Sequence, residues 1–132
     1  MATSFNSRLS TAPEEGCKAP CVTVSLTNIT LSGEQTISAT AVVTGDRVLV
    51  AGQTDTAENG IWMANSGAWT RAKDWNTAED VVPGMLIPVS SADSVYHTRQ
   101  FTGEYNPGVT GITFVAGIQL RENIASIDVL LT

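Results

Sequence analysis

Asp55 and Glu58, His97, Cys17 and Cys21, and the indoles of Trp62, Trp69 and Trp75 are the residues whose types and spacing could do chemistry in this chain. Two carboxyl groups held at the right separation hydrolyse glycosidic bonds. Asp55 and Glu58 share one polar loop, and Glu79-Asp80 share another. Acids in the loops of an acidic chain need no reaction to explain them, so neither pair is assigned catalysis. Asp46, Asp55, Glu58 and nearby carbonyls offer the oxygens calcium prefers, but the regular ligand spacing of an EF-hand loop is missing. No metal is expected.

His97, the only histidine, lies in VYHTRQF, a strand-like stretch. As a general base it would need a serine nucleophile and an orienting acid, and no serine sits in a G-x-S-x-G elbow. The expectation is a strand histidine, solvent-facing or hydrogen-bonded. The 11 glycines are spaced as turns and make no phosphate-cradling pattern. No catalytic residue, no cofactor and no enzymatic activity are expected.

Cys17 and Cys21 stand in CKAPC. Even with His97 they supply fewer ligands than a structural zinc site needs, and the gap is not that of a redox pair. Plain thiols or a local structural pair is the favoured reading, with a disulfide as the alternative. Trp62 and Trp69 fall in strand-like stretches and are expected to face a core. Trp75 falls in a loop and is expected to be partly exposed, which makes it a candidate interaction residue and the anchor of any glycan platform. Asn28-Ile29-Thr30 matches a glycosylation sequon, read as incidental.

The elements that must position these residues are strands. Val22, Val24 and Leu26 alternate with Thr23 and Ser25, which places the apolar residues on one face. Ile29 and Leu31 resume the alternation, and a weaker strand is expected around Thr36 to Val43. Gly45-Asp46 turns into Arg47-Val48-Leu49-Val50. Ile61 to Ala64 and Ala68 to Ala72 read as a hairpin joined by Asn65-Ser66-Gly67. A loop from Lys73 to Gly84 carries one helical turn at Thr77 to Val81. Further strands are Met85 to Ser90, Val95 to Phe101 and Ile112 to Ile118. Many short strands separated by turns predict an all-β fold, a compact antiparallel β-sandwich or small β-barrel. Its expected organisation is a flexible N-terminal arm over 1–20, a β domain over 21–119 and a C-terminal docking segment over 120–132.

Apolar residues make up 42% of the 132 and charged residues 15%, so a single folded core is expected. Thirteen acids against seven bases give a net charge of −6 with no basic stripe, which disfavours nucleic acid as a partner. No apolar run reaches the roughly 18 residues that cross a bilayer, and the N-terminus lacks the apolar stretch of a secretory signal. Neither membrane nor secretory routing is expected. Ile124, Ile127, Val129, Leu130 and Leu131 make the last segment strongly apolar. They are the remaining candidate interaction residues, suited to pairing as a strand edge with a neighbouring chain.

Residues 28 to 74, NITLSGEQTISATAVVTGDRVLVAGQTDTAENGIWMANSGAWTRAKD, carry a linked series of blocks: N-I-T-L-S-G, Q-T-I, G-D-R-V-L-V, Q-T, E-N-G-I, G-A-W-T-R-A and an Asp. This order and spacing resembles a module of tailed-bacteriophage tail-fibre and tailspike proteins, with a weaker match through Gly84 to Val89 and on to about Phe101. The resemblance implies a virion structural protein: a tail-fibre or tailspike attachment adaptor, or a short fibre subunit. It would be made in the host cytoplasm and located in the tail, with other virion proteins as partners and a homotrimer favoured. In such proteins a receptor-binding or depolymerase part follows the module, and a chain ending at Thr132 is expected to lack one. The alternatives are a carbohydrate-binding module for host glycans and a head fibre or decoration protein. Within the blocks, Gln53 and Asn59 are expected to hydrogen-bond loop backbone and not a ligand.

Overall fold

A computed structural model describes residues 17–91, 94–99, 101 and 103–116. The fold is all-β. Among the described residues nine short strands run in the order β1 (Thr23–Ser25), β2 (Gln35–Ile37), β3 (Thr40–Val42), β4 (Arg47–Val50), β5 (Gly60–Met63), β6 (Thr70–Arg71), β7 (Leu86–Val89), β8 (Ser94–Thr98) and β9 (Phe114–Ala116). Three-residue 3₁₀ turns occupy Thr56–Glu58, Lys73–Trp75 and Ala78–Asp80. The strands form three small sheets, ordered β1-β4-β5-β6, β2-β3 and β7-β8-β9.

β4 explains how the sheets stack. Its run of Val48, Leu49 and Val50 is fully buried, as expected of a strand covered on both faces. Leu49 joins Ile61, Trp75, Ile87 and Val89 in one core, against the third sheet. Val48 and Val50 point the other way and pack with Ile37, Val42 and Trp69 beneath the β2–β3 hairpin. The first sheet is therefore the middle layer, with apolar packing on either side.

The antiparallel expectation fails where β1 pairs with β4 in parallel, Thr23 opposite Val48 and Ser25 opposite Val50, and again where Cys17 and Cys21 make parallel bridges to β7. Between β1 and β4, the long connection through the β2–β3 hairpin gives the chain room to return in the same direction. The alternation expected in 22–26 is also overturned. Thr23 and Ser25 are buried, because their hydroxyls donate to Ile37 O at 3.2 Å and Thr27 O at 2.8 Å, while Leu26 is 61% exposed.

The strand expected over Thr36 to Val43 is a hairpin. Ser38 and Ala39 form its turn at φ 50° and 66°, with Ile37 paired to Thr40. Two positive values match the primed turns that suit strand twist, where Asn-Gly is usual. Ser38 is held there by a 2.8 Å bond to Val24 O. Ala39 has no such compensation, and a non-glycine residue in this region costs roughly 1–2 kcal/mol. Ala39→Gly should raise the thermal midpoint by a few degrees, the relief being partly offset by unfolded-chain entropy. A lowered midpoint in a melting curve would show that the turn is not formed this way.

The arm boundary at residue 20 also moves. Cys17 and Cys21 bridge Leu86 and Val89, and the Lys18 and Cys21 amides donate to Leu86 O and Pro88 O at 2.8 and 2.9 Å. Residues 17–21 therefore belong to the domain and cover the edge of β7. The rest of the expected arm, and Ile124, Ile127, Val129, Leu130 and Leu131 of the expected docking segment, lie outside the described residues. Among the described residues no helix is long and apolar enough to cross a membrane.

Candidate functional site

The polar loop between β4 and β5 gathers a cluster of hydrogen-bonding side chains. Gln53 is 5% exposed and Asn59 1% exposed. The Gln53 side chain grips Ile29 twice: Oε1 accepts from Ile29 N at 2.8 Å, and Nε2 donates to Ile29 O at 3.0 Å. Nε2 also reaches Glu58 Oε1 at 3.0 Å. Asn59 Oδ1 accepts from Gln53 N at 3.0 Å, and its Nδ2 donates to Ile112 O at 2.9 Å. The two amides thus tie three separated segments, around Ile29, Gln53 and Ile112, into one knot.

The loop's remaining ends are collected by the strand that follows. Asp55 caps the 3₁₀ turn by accepting from Ala57 N at 3.1 Å. Arg71 donates to Ala57 O at 2.8 Å and Asn59 O at 3.0 Å. Trp62 Nε1 donates to Glu58 O at 2.8 Å, and the Arg71 guanidinium lies 4.5 Å from the Trp62 ring centroid. Carbonyls left open at the turn's end are satisfied by a fork and an indole in contact with each other.

Three further acids are engaged in the same way. Asp46 accepts from Val43 N, Glu34 from both Thr44 N and its hydroxyl, and Asp80 from Asn76 N and Thr77 N. The bonds from Thr44 hold the Glu34 carboxyl below its usual range. Glu79 and Asp80 do not converge as an acid pair, because Asp80 closes a capping box with Thr77. Among the described residues no group of three His, Cys, Asp or Glu side chains comes together to hold a metal. His97 is buried in the central strand of the third sheet, opposite Leu86 and Val115. Among the described residues, no hydrogen bond links it to a serine or a carboxylate.

The expectation for Trp75 is overturned. The 3₁₀ turn Lys73–Trp75 swings the indole inward, where it is fully buried. Its N–H donates to the Tyr105 hydroxyl at 3.1 Å, and its ring meets Tyr105 edge-on at 6.2 Å and Phe114 at 5.7 Å between centroids. One polar partner lets an indole sit in an apolar core. Trp69 is 5% exposed with its N–H on Gly33 O at 2.9 Å. Neither Trp69 nor Trp75 presents an open face for a sugar ring. Tyr105 was not singled out by the sequence, since a lone tyrosine in a turn-rich stretch carries no spacing signal.

Both cysteines are free thiols. Cys21 is fully buried, and burial pushes its thiol up to about 12, against the opposing Arg47 charge. Beside it Arg47 makes a two-pronged pair with Asp74, both bonds 2.8 Å, and its Nη2 reaches Ala19 O at 3.2 Å. Lys18 is buried here too, and desolvation lowers its ammonium despite the Asp74 and Asp80 charges. For Asp74, burial would raise the carboxyl, but the Arg47 bonds and charge, with Lys18 beyond, outweigh it and hold it below 3.8. A depressed carboxyl contributes stability above its unfolded value and loses it as pH falls through the folded one. Asp74→Asn should therefore unfold more easily than the parent at neutral pH. That gap should close in acid below the ordinary value of 3.8. Denaturant midpoints across pH check this, and a gap that persists in strong acid contradicts it.

A shallow open depression of about 270 Å³ lies between β1 and the hairpin, lined by Ser25, Leu26, Thr27, Ile29, Thr36, Ile37 and Ser38. It carries no charged group. No family model, no curated protein and no solved structure matches the chain.

Proposed function

We propose that this chain is a structural protein of a bacteriophage virion, a tail-fibre or tailspike attachment adaptor or a short fibre subunit. It acts by holding other virion proteins and not by catalysis. The observation that carries this reading is that the blocks of residues 28 to 74 bond to one another. Asn28 Oδ1 receives Thr54 N, Gln53 grips Ile29, Trp69 donates to Gly33 O, Arg71 closes the Asn59 turn, and Arg47 pairs with Asp74. Polar side chains committed in this way specify a scaffold and leave none of these groups aimed at a substrate.

The acidic balance fits partners other than nucleic acid, and the working form is a homo-oligomer, with a trimer favoured. A carbohydrate-binding module would need an exposed aromatic platform, which Trp75 and Trp69 do not supply. Antibodies to the chain, applied to purified particles of the phage that encodes it, should label the tail. Labelling confined to the head would make it a head fibre or decoration protein. Absence of the chain from intact particles would overturn the virion reading altogether.

A further inference from the structure

We propose that Asn59-Gly60 is a latent self-modification site, silent while the Gln53–Asn59 knot is closed and reactive once it opens. In a flexible chain the deprotonated Gly60 amide nitrogen attacks Asn59 Cγ. The N–Cγ bond forms, the Cγ–Nδ2 bond breaks, and Nδ2 leaves as ammonia after taking a proton from water. Water then opens the resulting cyclic imide at either carbonyl, giving aspartate or isoaspartate. Glycine is the follower that hinders this least, because it has no Cβ.

The folded chain opposes each requirement of that step. Asn59 is 1% exposed. Its Nδ2 is held on Ile112 O at 2.9 Å and its Oδ1 on Gln53 N at 3.0 Å. Gly60 is fixed in β5 opposite Val50 of β4. Ring closure would require rotating the side chain and ψ, which stands at 150°, against all of these restraints. Once formed, the product cannot rebuild the knot. A carboxylate only accepts, so Ile112 O loses its donor and a buried negative charge faces that carbonyl. Isoaspartate also lengthens the backbone entering β5. Opening the knot therefore becomes irreversible over time.

Asn65-Ser66 supplies an internal comparison, because both residues are exposed in the β5–β6 loop and Asn65 Oδ1 already receives Ser66 N at 2.7 Å. Ser66→Gly places glycine after this exposed asparagine. The test incubates this full-length variant in mildly alkaline buffer, folded and in denaturant, and maps amide-to-acid conversion by peptide mass. In the folded chain Asn59 should convert slower than Asn65 by roughly a hundredfold or more, the protection of a closed core segment. In denaturant the two should convert at similar rates, and the refolded yield of the parent chain, whose Asn65 keeps Ser66 after it, should fall in step with conversion at Asn59. Equal rates in the folded chain would overturn the proposal. So would a converted chain that refolds with the parental midpoint.

Discussion

Gly52→Ala should abolish the cooperative unfolding transition or shift its midpoint further than Asn59→Ala, Gln53→Ala or Asp74→Asn. A Cβ at Gly52 would lie 2.2 Å from Leu26 C, 2.3 Å from Leu26 O and 2.5 Å from Thr27 N. Overpacking costs about 1–3 kcal/mol where side chains can yield, and these three atoms are all main chain. That main chain cannot withdraw freely. Ala51 N donates to Ser25 O at 2.9 Å, the Ser25 hydroxyl holds Thr27 O, and Gln53 holds Ile29. A loss beyond about 3 kcal/mol follows, at roughly 4–8 °C per kcal/mol for a domain of this class. Gly67→Ala is the control, since nothing lies within 4 Å of the added carbon. Equal midpoints for the two variants would mean that the loop and the β1 exit do not approach as described.

Asn59→Ala should be the second largest effect. It leaves Gln53 N and Ile112 O buried without their partners. At about 1–3 kcal/mol for each orphaned group, the expected loss is roughly 2–6 kcal/mol. Gln53→Ala removes both bonds to Ile29 and should cost a similar amount. Because Asn59 receives the Gln53 amide itself, the double variant should lose less than the sum. Glu58→Ala should matter least, since the Glu58 side chain is exposed and gives up one contact with Gln53 Nε2. Denaturant unfolding of all four proteins checks the ranking. Full additivity, or a mild Asn59→Ala, would remove the knot from the description.

Much of the strand pattern was legible because its signals are local. GDRVLV announces a turn and a strand, and Asn65-Ser66-Gly67 announces the hairpin between β5 and β6. Gln53 and Asn59 were readable as structural because amides between two strands have loop peptides to satisfy. The helical turn expected at Thr77 to Val81 is the 3₁₀ turn Ala78–Asp80.

What escaped the sequence depended on distant partners. Thr23 and Ser25 look like the solvent face of β1, but their hydroxyls find Ile37 O and Thr27 O. Trp75 looks like a loop aromatic, yet the Tyr105 hydroxyl thirty positions on makes burial possible. The hairpin at Ser38-Ala39 hid because neither residue is the Asn or Gly such turns favour. Residues 17–20 read as arm because Pro13, Gly16 and Pro20 break any period there. Only the third sheet supplies the edge they cover.

The central claim is that the polar loop holds the fold and contacts no ligand. Nuclear magnetic resonance of the side-chain amides of Gln53 and Asn59 tests it most directly. Both NH₂ groups should exchange slowly with water, and their signals should not move when host surface polysaccharide is added. Rapid exchange typical of exposed amides, with shifts that saturate on titration with the polysaccharide, would show instead that the loop is a binding site.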